Sequence, residues 1–240
     1  MTRVAIIAAM ADELKPLVRG WKRESRNGVR LWRWRHGEGE WIAALAGIGT
    51  DAAARALAEI EGSGRVDALL STGWAGALRG EIETGRAYGV REVVDARTGE
   101  RFPAAAQPGG CLLVTSDRVA GPEEKGRLAA TFGADLVDME AAGIARLAGT
   151  RGIPFYCVKG VSDGPADRLP DMNGFISADG QFHLGRFVLH VLVRPGYWPT
   201  LARLRRLAEK STQGIRDSVL GILDGGGTLR DSQARTDSQR

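Results

Sequence analysis

Residues 136–145, Leu136-Val137-Asp138-Met139-Glu140-Ala141-Ala142-Gly143-Ile144-Ala145, and residues 154–164, Pro154-Phe155-Tyr156-Cys157-Val158-Lys159-Gly160-Val161-Ser162-Asp163-Gly164, decide the fold class between them. Leu136 and Val137 lead out of a short apolar strand, the small residues of 140–149 predict a helix, and 154–161 reads as a buried strand ending in Ser-Asp-Gly. The same alternation runs outward. An apolar strand over 3–9 passes into a helix start at Asp12-Glu13, and VRLWRWRH (29–36) alternates and predicts an antiparallel hairpin with 40–46. A helix follows over 51–60, a strand over 67–71 that closes on Thr72-Gly73-Trp74-Ala75-Gly76, and further strands over 87–94 and 111–114. Polar and glycine residues gather just after the strands, which predicts an open α/β sheet with its site at the strand ends.

Composition narrows the class. The chain has 240 residues, 33 of them glycine and only nine of them tyrosine or phenylalanine, which suits tight turns and close packing better than an all-β sandwich. No stretch reaches the ~18 uninterrupted apolar residues of a membrane span. The net charge of +4 is uneven: residues 186–240 carry ten Arg/Lys against five Asp/Glu, while the first 185 are almost neutral. A neutral body disfavours nucleic acid as a partner. Cys111 and Cys157 lie far apart in apolar runs, without a CxxC or a histidine cluster, so neither a disulfide framework nor a zinc site is expected and a cytoplasmic location fits.

Three units are expected along the chain: a main domain over 1–185, a basic amphipathic extension over 186–223 and a disordered tail over 224–240. In the extension an apolar run at 187–193 and Tyr197-Trp198 precede a helix from Thr200, with Leu201, Leu204 and Leu207 on one side and Arg203, Arg205 and Arg206 towards the other. That pattern fits either packing on the body or peripheral contact with the inner membrane face.

The candidate site residues sit at strand ends. In a helix Asp138 and Glu140 would lie roughly 200° apart, but at a strand-to-helix junction both can face a crevice, where a carboxylate can accept two hydrogen bonds from a ribose diol. The alternative for this pair is an acidic helix start favoured by the helix dipole. Asp163 follows Ser162 and precedes Gly164. It can serve as an acid if partly buried, or it is an ordinary Asp-Gly turn. Met10 and Glu13 follow the first strand. Gly47, Gly49, Ser71, Thr72 and Gly73 can cradle an anion through backbone N–H groups and hydroxyls. The G-x-G-x-x-G fingerprint is missing after Gly47-Ile48-Gly49, which disfavours a dinucleotide.

Read in order, the segments AAMADEL, AGIGTDAAA, STGWAGAL, VTSDRV, VDMEAAGIA and VKGVSDG resemble the purine nucleoside phosphorylase/uridine phosphorylase superfamily, in particular its methylthioadenosine/S-adenosylhomocysteine nucleosidase branch. The resemblance spans about residues 3–165 and implies a mixed, partly barrel-like central sheet flanked by helices. It implies that Glu140 binds the ribose hydroxyls, Asp163 is the general acid at the purine N7, Met139 flanks the sugar, and Glu13 stands where nucleosidases hold the attacking water. Ser162, Asp138 and Met10 fall beside these positions. Trp74 replaces a small serine-like residue, and Val119 stands where an aromatic commonly meets the base. The RPGYWP segment and basic helix resemble the hopanoid-associated phosphorylases.

The resemblance therefore implies an enzyme that releases adenine from an adenosyl compound. The first reading is phosphorolysis of adenosylhopane, with phosphate as co-substrate; hydrolysis of methylthioadenosine or S-adenosylhomocysteine is the alternative, and a non-catalytic nucleoside-binding relative comes third. No metal or other cofactor is expected, the partner is a small adenosyl compound, lipid-linked on the first reading, and a homo-oligomer is anticipated.

Overall fold

The computed structural model describes residues 2–37, 39–47, 50–105, 109–168, 174 and 198–224. In chain order the elements are β1 (Thr2–Ala8), α1 (Ala11–Leu14), β2 (Lys22–Arg26), β3 (Val29–His36), β4 (Gly39–Leu45), α2 (Thr50–Glu61) and β5 (Ala68–Ala77). They continue with β6 (Ala87–Asp95), β7 (Arg101–Pro103), β8 (Cys111–Thr115), α3 (Pro122–Phe132), β9 (Leu136–Asp138), α4 (Ala141–Arg151), β10 (Phe155–Asp163) and α5 (Trp198–Asp224).

The sheet is mixed and closes on itself. Strand β5 pairs with β10, β10 with β6, β6 with β8, β8 with β9, and β9 returns to β5; β1, β4, β3 and β2 extend outward from β5. This corrects the open-sheet expectation and matches the barrel-like one. The residue pattern explains the closure. β5 does not stop at Ser71 but continues through Gly73, Ala75, Gly76 and Ala77, whose small side chains let β10 and β9 approach along both edges. Because β9 runs antiparallel to β5, with Gly76 opposite Val137, Asp138 is carried back towards the middle of β5. The site accordingly forms where these strands cross, and not along a row of parallel strand ends.

Helices α2 and α4 cover one side with Ala53, Ala56, Leu57, Ile60, Ile144 and Ala148. Helix α3 buries Leu128 against Val94, Val114 and Val137. On another side Leu14 of α1 and Ile215, Val219 and Leu223 of α5 pack over Ile6, Leu70, Tyr156 and Val158.

Helix α5 is built into the body. A Cβ on Gly160 of β10 would lie 2.6 Å from Ser211 Oγ and 2.8 Å from Ile215 Cδ1, so only glycine lets the helix come this close. The indole N–H of Trp74 donates to Thr212 Oγ1 at 3.0 Å. The amphipathic stripe expected to offer a membrane-seeking surface is therefore a packing face: Leu204, Ala208, Ile215, Val219 and Leu223 are buried, and Arg205, Arg206, Glu209 and Lys210 point outward. Arg203 is ion-paired with Asp167. Of the two readings of the extension, packing on the body is the one that the described part of α5 displays. Among the described residues no helix is long and apolar enough to cross a membrane. The run 187–193, Tyr197, Gly49 and the tail from 225 lie outside the described residues.

Candidate active site

Glu13 projects from the short helix that follows β1 and is buried. Its carboxylate accepts the backbone N–H of Met10 at 2.7 Å and that of Trp74 at 2.9 Å. It sits over Gly73, at φ +142°, where a Cβ would lie 2.9 Å from Glu13 Oε1. Burial pushes the Glu13 carboxyl above its ordinary value; the two N–H groups and the positive charge of Lys159 oppose that rise.

Lys159 pairs in register with Gly73 across the β10–β5 ladder and is fully buried. Its ammonium meets Asp138 at 2.8 Å. Burial alone would push this lysine down, but the negative groups around it, Asp138 first among them and Glu140 included, raise it. Asp138 is a hub: it accepts the Thr115 hydroxyl at 2.7 Å and the Ala141 N–H at 3.0 Å, which caps α4, and its side chain is 0% exposed. The Asp138 carboxylate is thus held by Thr115, the Ala141 N–H and Lys159. Glu140, next to it, is half-buried at the head of α4 and stays within electrostatic reach of Lys159.

Asp163 ends β10 opposite Gly76. Ser162 donates its hydroxyl to Asp163 Oδ1 at 2.6 Å, and Lys125 of α3 donates to Oδ2. Lys125 also reaches the Gly164 carbonyl at 2.7 Å and is 1% exposed. Gly76 makes room for this pair, since a Cβ there would lie 2.9 Å from Asp163 Oδ2 and 3.1 Å from Lys125 Cε.

The structure thus brings Glu13, Asp138 and Glu140 together around Lys159, with Asp163 a few residues further along β10 and Met10, Met139 and Ser162 half-buried beside them. Val119 is half-buried in the loop between β8 and α3. Four anticipated residues are placed differently. Trp74 contributes its backbone N–H, while its side chain turns to α5. Ser71 and Thr72 are both buried, and as consecutive strand residues they leave β5 on opposite faces. Gly47 is tied to the end of β1, its N–H donating to the Ala9 carbonyl at 3.2 Å. Lys125 and Lys159 were missed, although a lysine inside the apolar run FYCVKGV and another three residues before Leu128 on the buried face of α3 are visible signals of buried charge. Among the described residues no group of three His, Cys, Asp or Glu could hold a metal ion. Both cysteines are free and buried, with burial pushing their thiols up to about 11 for Cys111 and about 12 for Cys157.

The family model described as the phosphorylase superfamily matches residues 3–105 and 88–193. The chain belongs to the phosphorylase superfamily. It is accordingly an enzyme of the nucleosidase and phosphorylase kind, and superfamily members of known structure share its fold. A Helicobacter pylori 5′-methylthioadenosine/S-adenosylhomocysteine nucleosidase superimposes with a TM-score of 0.71 at 16% identity, covering 93% of this chain and 98% of its own. The futalosine hydrolase of the same organism gives 0.70 at 16% identity, with 93% and 98% covered. An S-adenosylhomocysteine nucleosidase from Streptococcus pyogenes gives 0.60 at 24% identity, with 68% and 85% covered. No curated protein sequence matches the chain.

Proposed function

We propose that this chain hydrolyses the N-glycosidic bond of an adenosyl compound, releasing adenine, with water as the nucleophile. The observation that carries this reading is the Glu13 carboxylate lying over Gly73 and taking the Trp74 and Met10 N–H groups. These backbone donors, which could otherwise cradle an anion, are taken up by Glu13, and a buried carboxylate there repels a phosphate dianion. A carboxylate raised by burial is instead a suitable base for water. Lys159 offers phosphate no free charge, because Asp138 already neutralises it.

The remaining roles follow from what the bond demands. As C1′–N9 breaks, positive charge develops on the ribose and negative charge on the base. Glu140 accepts from the ribose hydroxyls and stabilises the developing cation, Asp163 passes a proton to the base, and Met10, Met139 and Val119 supply apolar contact. The hydrolytic names of the nucleosidase and futalosine hydrolase relatives support water over phosphate. Phosphorolysis of adenosylhopane, the first reading of the sequence, drew on the C-terminal segment, and α5 spends its apolar face on the body.

The test is adenine release from methylthioadenosine, S-adenosylhomocysteine and an adenosyl compound with an apolar 5′ chain, each with and without phosphate. Release without phosphate, giving the free sugar, is expected from at least one of them. Release that requires phosphate and yields a sugar 1-phosphate would overturn the hydrolytic reading.

A further inference from the structure

We propose that Lys125 is the source of the proton delivered to the departing base, acting through Asp163. The inference rests on the reading of Asp163 as the group that protonates the leaving base, and it supplies what that reading lacks. Both carboxylate oxygens of Asp163 are acceptors, Oδ1 from the Ser162 hydroxyl at 2.6 Å and Oδ2 from the Lys125 ammonium. Each oxygen of this carboxyl therefore faces a group that already carries a proton, and one of the two is an ammonium. The protons stored at this end of the site are on Ser162 and Lys125, and of the two only the ammonium can lose one and be left neutral.

The setting is built for this pair. Lys125 is 1% exposed, reached from α3 with its Nζ also held by the Gly164 carbonyl at 2.7 Å, so its ammonium is fixed and shielded from water. Gly76 leaves the space that both groups fill. No other basic side chain is paired with Asp163 among the described residues. As the C1′–N9 bond breaks, its electron pair stays on the purine. One proton passes from Lys125 Nζ to Asp163 and one from Asp163 to the base, while the water oxygen bonds to C1′ and its proton goes to Glu13. Lys125 is left a neutral amine, and the resting state returns when Glu13 gives a proton to solvent and Lys125 takes one back. Lys125 does not touch the substrate, so it is a positioning and proton-holding residue.

Lys125→Gln keeps a donor towards Asp163 but has no proton to transfer, and Lys125→Arg keeps the charge on a group that does not give up its proton. Both variants are assayed on an adenosyl substrate and on a p-nitrophenyl riboside with the same 5′ group, whose leaving group departs without a proton. The expected result is a kcat for adenine release lowered roughly 100-fold, the low end of what general acid catalysis contributes, with KM and p-nitrophenol release little changed. If the Gln variant does not fold, the Arg variant carries the test. Equal loss on both substrates, as a purely structural role would give, or undiminished adenine release overturns the proposal. A wild-type protein that cleaves neither substrate overturns the proposed function itself.

Discussion

Among the single residues, Glu13 makes the most exposed claim. Its carboxyl is raised by burial, and as a base it must be ionised to accept a proton from water. Activity is therefore expected to be full at pH well above the ordinary carboxylate range and to fall as pH drops through the raised value. Glu13→Gln should lower kcat at every pH and remove that acid limb; a limb that persists unchanged in the variant belongs to another group. Glu140→Gln should weaken ligand binding and kcat together, because a diol acceptor acts in ground and transition states alike. Titration with a non-cleavable adenosine analogue checks this, and unchanged affinity would refute the ribose assignment. Lys159 is tested by stability. Lys159→Met leaves Asp138 buried without its partner, which should cost about 3–5 kcal/mol, read from denaturant unfolding. A variant as stable as wild type would mean that Thr115 and the Ala141 N–H suffice for Asp138.

At the scale of elements, α5 is a structural wall of the enzyme. Gly160→Ala would press a methyl group into Ser211 and Ile215, an overpacking expected to cost about 1–3 kcal/mol and to lower Tm. An unchanged Tm would show that α5 can shift. What the sequence discloses is uneven at this scale for physical reasons. The strand at 154–161 and the helix at 140–149 are legible because apolar and small residues recur with the right period and end in polar groups. Helix α3 and strand β2 escape notice, since α3 carries Glu123, Glu124, Lys125 and Arg127 in its first turns and β2 is nearly all polar. The two lysines at the site are harder to read: a lysine is ordinarily exposed, and although their apolar surroundings in the sequence hint at burial, it is their partners Asp138 and Asp163 that give each a role. That Glu13, Glu140 and Asp163 lie near the same strands is legible through motif order, but the partners of Asp138 and the direction of the Trp74 side chain are not, because they leave no mark in the chain.

For the whole molecule, the closed barrel explains how a nearly neutral body gathers so much charge in one place. Closure through β9 returns Asp138 to β5, where Lys159, Glu13 and Glu140 already converge, and Gly73 and Gly76 open the backbone where carboxylates must come close. The arrangement holds more negative than positive charge, which favours a developing ribosyl cation and a water nucleophile over a phosphate dianion. The most direct measurement of that claim is cleavage in H₂¹⁸O with phosphate present, followed by mass spectrometry of the sugar. The account predicts one ¹⁸O at C1′ of a free sugar, whether or not phosphate is added; an unlabelled sugar 1-phosphate as the product would contradict it.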